Sequence, residues 1–331
     1  MRRAARRPLR PLRPLPLDGV RTYPLASRRS KVRHADFARP HRKGGSLASF
    51  LSGLPRILAG STLAGLADAV AAARAKRRPI VWGLGAHVIK VGLSPLLIDL
   101  MERGYVTGLA LNGAGIVHDF ELAVAGATSE DVEAGLAKGA FGMARETGEE
   151  LGNAVVEGDR DGLGLGAAVG RHLARRRPRP RHLGLSLLAA AHRLGVPATV
   201  HVAVGTDIVH VHPACDPAAL GRATHLDFRL LAAQVARLGG GGVYLNVGSA
   251  VVLPEVFLKA VTLARNLGHP VTRFSTANLD FIQSYRPGVN VVERPVAGHG
   301  RGFRLTGHHE ILVPLLAAAL VERDSGRGRA R

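Results

Sequence analysis

Cysteine, acid and long apolar runs are what this sequence has least of. Cys215 is its single cysteine, which excludes a disulfide framework and a cysteine-built zinc site and fits a reducing compartment. No stretch of eighteen apolar residues occurs, so no membrane-spanning segment is predicted. The first sixteen residues repeat Pro-Leu-Arg without an apolar stretch of signal-peptide length, and prolines at 8, 11, 14 and 16 break the amphipathic helix that a transit peptide needs. The expectation is a cytoplasmic protein whose residues 1–44 form a basic, disordered or loosely attached leader.

Acid is scarce too: 25 Asp and Glu stand against 45 Lys and Arg, a formal charge of +20. Spread over a folded surface, that excess would point to nucleic acid or an anionic membrane. It is not spread. Residues 1–44 hold a surplus of 12 positive charges, residues 171–182 one of 6 and the tail from residue 321 one of 2, so the remainder is neutral. Neither a membrane nor a specific nucleic-acid partner is predicted. The basic stretch 171–182 has prolines at 178 and 180 and no aromatic, which favours a solvated crossover loop over a phosphate grip.

What is present is the apparatus of an α/β protein. A length of 331 residues with 46% hydrophobic ones is ample for a large core. The stretch Trp82 to Glu121 holds two turns of one kind. An apolar run, 78–82, reads as a buried strand; Gly83, Gly85 and Gly92 open a loop; and Leu96, Leu97, Leu100 and Met101 have helical spacing over 93–103. A second strand over 106–111 ends on Asn112-Gly113-Ala114-Gly115, with His118, Asp119 and Glu121 beyond. Strand, glycine turn and helix in repetition is how a parallel sheet offers backbone N–H groups to an anionic ligand, a nucleotide first of all. Neither turn spells G-x-G-x-x-G, and ordinary tight turns use glycine as well.

Upstream, 46–58 and 62–76 have the pattern of amphipathic helices, with Ser61 as an N-cap. Downstream, helices are predicted over 132–138, 143–155, 185–194, 226–238, 255–267 and 309–321, and strands over 197–204, 243–247 and 271–275. The alternation predicts a Rossmann-like, doubly wound α/β domain over 45–321, with a mostly parallel sheet, N-terminal helices, a basic loop at 171–182 and a disordered tail at 322–331. Turn residues collect at 85–92, 112–119, 205–210, 246–249, 276–280 and 306–309, and parallel strands would bring all six clusters to one edge.

With these turns in order, the chain resembles deoxyhypusine synthase over residues 45–321. That family is Rossmann-like, uses NAD to oxidise spermidine and moves an aminobutyl group onto a protein lysine. The resemblance rests on 106–120, 205–212, 239–252, Ser275-Thr276-Ala277 and 307–316. It implies NAD contacts at Gly85, His87, Gly92, Asn112, Gly113, Ala114, Gly115, Asp119, Gly205, Thr276, Ala277 and His308, and assembly as a homotetramer. The departures are as informative. Val117 and His118 stand where the family has paired glutamates, and His308 where it has an aspartate. Val251, Val252 and Leu253 take the place of a basic Lys-His pair. The family's imine-forming lysine falls within 278–296, and this chain has no lysine after Lys259. Without a primary amine, Schiff-base chemistry at that place is impossible, so true deoxyhypusine synthesis is not expected.

The reading is therefore an NAD-dependent enzyme acting on a small, amine-bearing, polyamine-like substrate. His118, His210 or His309 would serve as acid or base, and Asp207 or Asp280 would bind a substrate cation. Each histidine also has a plainer explanation. His210 and His212 alternate as core residues do, and His309 with Glu310 can simply cap a helix. Lys90 in the first turn suits pairing with a phosphate, or a substitute nucleophile. Two other functions fit: metal-assisted hydrolysis built on His210, His212, His308, His309, Asp207 and Asp119, and nucleotide binding without turnover.

Overall fold

Short strands buried on both faces need helices on both sides, and that requirement shapes the chain. The computed structural model describes residues 12–324; the rest of the predicted leader (1–11) and tail (325–331) lies outside the described residues. Six parallel strands form one sheet in the order β3-β2-β1-β4-β5-β6. They are β1 (Ile80–Leu84), β2 (Gly108–Asn112), β3 (Ala198–His201), β4 (Val243–Val247), β5 (Ser275–Asp280) and β6 (Arg301–Thr306). This is the doubly wound order, and it reverses direction between β1 and β4. The predicted α/β, Rossmann-like fold class is the one observed.

The helices follow in chain order: α1 (Leu47–Gly53), α2 (Leu58–Ala75), the single turn α3 (His87–Lys90), α4 (Ser94–Glu102), α5 (Gly113–Ala125), α6 (Val132–Ala137), α7 (Arg145–Arg160), α8 (Leu165–Arg175), α9 (Leu187–Leu194), α10 (Pro217–Ala236), α11 (Val252–Asn266), the turn α12 (Tyr285–Pro287) and α13 (His309–Val321). Strand residues of one parity, Trp82, Leu84, Leu109, Leu111, Leu245 and Val247, pack with α2, α4, α5, α9 and α13 in the larger core. Those of the other parity, Val81, Ala110 and Tyr244, meet Leu231, Val235 and Phe257 of α10 and α11. Period-2 alternation sends successive side chains to opposite faces, so both cores come from the same strands.

Several boundaries differ from expectation. α2 begins at Leu58, so the Ser61 hydroxyl bonds back to the Leu58 carbonyl inside the first turn. Asp131 caps α6 by accepting from the Ala134 amide. α8 occupies the first residues of the expected basic loop, because Leu165, Val169 and Leu173 recur every four residues and bury one helical face. The last predicted strand is displaced from 271–275 to Ser275–Asp280. Asn278 shares a face with Asn246 of β4 and accepts from its side-chain amide, so hydropathy alone hides the strand. β6 was not anticipated: only Phe303 and Leu305 turn inward, and Arg301, Arg304 and Thr306 stay exposed on this edge strand. Residues 12–46 lie almost wholly exposed. The Arg39 guanidinium and amide bond to the Ser52 and Gly53 carbonyls of α1. Among the described residues no helix is long and apolar enough to cross a membrane.

Candidate functional site

Because every strand runs the same way, the carboxyl ends of all six meet at one edge, where the strand order reverses between β1 and β4. At that reversal β1 and β4 run into two glycines, the buried Gly85 and the half-buried Gly248. The Gly85 amide donates to the Val247 carbonyl at 2.8 Å. A Cβ on Gly85 would stand 1.9 Å from the Gly248 carbonyl oxygen, and Gly248 is itself left-handed at φ +69°. Only glycine lets β1 and β4 close up here, and the result is a bare floor.

Behind the floor lies a row of buried amides. Asn246 Nδ2 donates to the Ser249 carbonyl (2.8 Å) and to Asn278 Oδ1 (2.7 Å), and Asn278 Nδ2 donates to Gln283 (2.9 Å). Asn246 Oδ1 and Thr276 Oγ1 are buried with no hydrogen-bond partner among the described residues. Beside the floor stands His309 at the start of α13. Its Nε2 lies 3.2 Å from the Leu279 carbonyl and 3.6 Å from Asp280 Oδ1, while its buried Nδ1 has no partner. Its ring meets that of the exposed His87 edge-on at 5.6 Å. Burial lowers the His309 pKa against the opposing pull of Asp280. Next to it His308 stacks on Phe281, their centroids 6.1 Å apart.

On the β2–β3 side of the floor a cavity of about 200 Å³ opens between the β1–α3 turn, α5 and the loop after β3, lined by Lys90, His118, Glu121, Glu130, Thr206 and Asp207. Its polar groups are wired together. Thr128 Oγ1 donates to Glu121 Oε2, and Thr147 Oγ1 donates to Glu121 Oε1 at 3.2 Å. The hydroxyl of Thr128 has one proton, and Glu121 takes it. The 2.7 Å contact between Thr128 Oγ1 and His118 Nδ1 is then an N–H donation from the ring, which assigns the proton to Nδ1 and leaves Nε2 as an acceptor. Burial, and then the charge of Lys90, push the His118 pKa down to about 4, so the ring is neutral at physiological pH.

Other predicted residues are placed differently. Asp119 is fully buried, and its carboxylate accepts from the Ser186 hydroxyl (2.5 Å) and the Leu187 and Leu188 amides (2.6 and 3.2 Å) at the start of α9; burial pushes its pKa up to about 6. That carboxylate holds two helices together and does not face the floor. Asp207 fills the N-terminus of α5. Its Oδ2 accepts from the Ala203 amide at 2.8 Å and the carboxylate takes a further backbone hydrogen bond from Ala114, while Asn112 Oδ1 accepts from the Gly115 amide at 3.2 Å. Of the Asn112–Gly115 turn expected to meet a cofactor, the Ala114 and Gly115 amides are thus committed to the chain's own side chains. Burial raises the Asp207 pKa against those bonds and the His210 charge.

His210 bonds through Nδ1 to the Asp207 carbonyl at 3.1 Å. His212 is turned toward α7, where a Cβ on Gly148 would meet its ring at 2.1 Å, and its Nδ1 accepts from the Ala214 amide. Gly205 and Gly92 are left-handed turn residues at φ +78° and +80°. Thr276 and Ala277 lie inside β5, with Ala277 in the large core. The sequence-predicted residues therefore separate into two groups, His87, Asp280, His308 and His309 on one side of the floor and Lys90, His118 and Asp207 on the other. Glu121, Glu130, Thr128 and Thr147 join the second group unforeseen. The available signal was that Glu121 stands three residues from His118 on one helix face, whereas Asp119 does not.

No protein-family model matches the chain, and no curated protein matches it. Solved structures are similar at the level of fold. A protein assigned to LOR/SDH from Methanococcus maripaludis S2 is 14% identical with a TM-score of 0.51, covering 80% of this chain and 70% of its own. AgrE, solved as a ternary complex with ornithine and NAD+, is 15% identical with a TM-score of 0.51 over 80% of this chain, which spans only 33% of AgrE. A protein assigned as a deoxyhypusine synthase from Entamoeba histolytica is 9% identical with a TM-score of 0.49, covering 86% of this chain and 96% of that one. At such identities the likeness is one of architecture, and the architecture is that of a Rossmann-like parallel α/β domain.

Proposed function

We propose that the protein is an NAD-dependent enzyme acting on a small amine-bearing, polyamine-like substrate, without a lysine-linked intermediate at the position the deoxyhypusine synthase family uses. The observation that carries this reading is the adjacency, across the β1–α3 turn, of a side-chain-free floor and a carboxylate-lined cavity containing a neutral histidine. The floor is the place assigned to the dinucleotide, because Gly85 and Gly248 carry no side chain there and the buried, unpartnered Nδ1 of His309 stands beside them. The α5 N-terminus does not fit its phosphates while Asp207 holds that place. Bound there, NAD supplies a hydride acceptor. The residues that would hold it are Gly85, Gly248 and His309, with His87 and His308 at the rim.

In the cavity, Glu121, Glu130 and Asp207 offer counter-charge to an ammonium group, and the neutral His118 offers it a hydrogen-bond acceptor at Nε2. Thr128 and Glu121 fix the ring and its tautomer, as a carboxylate orients a catalytic imidazole elsewhere. Burial, and then Lys90 by repelling a second positive charge, keep the imidazole neutral. Assembly into a homotetramer belongs to the same proposal.

The likeness in fold to AgrE, a protein seen with ornithine and NAD+, supports this reading. The hydrolase alternative has less to stand on: among the described residues no three of His, Cys, Asp and Glu converge as metal ligands. The test is to denature the purified protein, search for released NAD by mass, titrate NAD into the native protein, and follow NADH production with a panel of amines. Bound NAD with amine-dependent NADH, lost in His118→Ala while NAD still binds, is the expected result. Absence of both released and titratable NAD would sink the proposal, and bound NAD with no turnover on any amine would reduce it to nucleotide binding.

A further inference from the structure

The basic stretch 171–182, which begins in the last turn of α8, is only partly neutralised. Of its six arginines, Arg171 pairs with Asp161 and Arg176 with Glu150. Among the described residues Arg175, Arg177, Arg179 and Arg181 have no carboxylate partner. Two of these, Arg177 and Arg179, turn with Arg193 of α9 into one cleft of about 530 Å³. No acidic residue lines this cleft.

Each guanidinium has donors to spare. Arg179 makes no hydrogen bond or ion pair among the described residues. Arg177 spends Nη1 on the Arg175 and Arg176 carbonyls (3.2 and 2.9 Å), leaving Nη2 and Nε. Arg193 reaches Glu102 at 2.7 Å across an exposed surface, the kind of pair that contributes little and yields readily to a stronger anion. Three such forks in one concavity match the charge and geometry of a diphosphate better than that of a single carboxylate. Between them the wall is apolar, with Ile98, Leu183 and Ala189, which a purely ionic ligand would leave unused. No aromatic lines the cleft, so it lacks the stacking platform on which single-stranded nucleic acid is held.

We propose that this cleft is a second binding site, for a small diphosphate-bearing molecule with an apolar or planar body. The body is a nucleoside or an alkyl chain, and the head is gripped by Arg177, Arg179 and Arg193. The site shares no lining residue with the cavity beside His118 and does not depend on the function proposed there.

The experiment is calorimetric titration of the full chain with inorganic pyrophosphate, ADP and geranyl diphosphate, repeated on Arg177→Ala/Arg179→Ala and on Arg193→Ala. Saturable binding at one site per chain is expected. ADP or geranyl diphosphate should bind more tightly than pyrophosphate, and whichever does so identifies the body. Loss of two charge-assisted forks should weaken it by about a hundredfold and loss of one by about tenfold. All three substitutions are on the surface, so the thermal midpoint should be unchanged, and any ADP or NAD affinity that survives the double substitution belongs to the floor. No saturable binding of any of the three ligands, or binding of pyrophosphate and geranyl diphosphate that survives the double substitution, overturns the proposal. Affinity that grows with the length of an added single-stranded DNA and exceeds that for all three small ligands overturns it in favour of a polyanion surface.

Discussion

Placing a methyl group on Gly113 is expected to evict Asp207 from the α5 N-terminus. Gly113 is the first residue of α5, and an added Cβ would sit 2.1 Å from Asp207 Oδ2 and 2.3 Å from its Cγ. Carbon needs about 3.5 Å from its neighbours, so the carboxylate must retreat by more than an ångström and forfeit its bonds from the Ala203 and Ala114 amides. Hydrogen bonds to a charged acceptor are worth roughly 1.5–3 kcal/mol each, and alanine returns up to about 1 kcal/mol of helix propensity. Gly113→Ala should therefore lower stability by about 2–5 kcal/mol. In an Asp207→Ala background the clash is gone, and the same substitution should raise stability by about 0.5–1 kcal/mol. Urea unfolding of the four proteins, followed by far-UV circular dichroism, gives the coupling as a double-mutant cycle. Additive effects, or a neutral Gly113→Ala, would refute the assignment of Asp207 as the occupant of that helix end. Asp207→Ala should also tighten NAD if phosphates then take the vacated amides.

Further expectations concern the histidines and the floor. Lys90→Met removes the second cause of the low His118 pKa, so NMR titration of the ring should place its pKa above about 4 yet still below the ordinary 6.5, since burial remains; an unchanged value would refute that role of Lys90. His201 is buried, with its pKa lowered to about 4 by burial. Its unfolded form binds a proton from pH ~6.5 downward, so the stability it contributes is complete above that pH and is lost as pH falls to about 4. At ~1.4 kcal/mol per pH unit the loss approaches ~3 kcal/mol, and the difference between wild type and His201→Gln in unfolding free energy against pH should show that slope. Gly85→Ala, whose methyl would stand 1.9 Å from the Gly248 oxygen, should force β1 and β4 apart, costing several kcal/mol and abolishing NAD binding. Wild-type stability in Gly85→Ala would contradict the tight floor.

Local pattern was enough for elements whose core face repeats cleanly. The helix from His309 to Val321 and the strand from Val243 to Val247 lie where hydrophobic periodicity put them. It was not enough where burial is shared among polar groups. β5, spelled Ser-Thr-Ala-Asn-Leu-Asp, reads as a turn until Asn246 and Gln283 are beside Asn278 to satisfy it. β6 eluded the pattern because only two of its six side chains are buried. Among site residues, the alignment of turns on one sheet edge followed from parallel topology. Whether a turn amide was free did not, because the groups that occupy it come from distant sequence: Asp207 for α5, and Asp119 for α9. The His118–Thr128–Glu121 chain was half visible, since His118 and Glu121 share a helix face, but Thr128 arrives from the following loop.

The reversal of strand order has a kinetic consequence. β1–β2–β3 and β4–β5–β6 are each built from strands consecutive in the chain, whereas Ile80 pairs with Val243, a loop of roughly 160 residues whose closure carries the largest entropic cost in the sheet. The two halves can nucleate separately, and the seam between them is then the slowest ladder to form and the first available to part. A ligand lying across Gly85 and Gly248 would staple both halves, so it would slow unfolding more than its share of contact area implies.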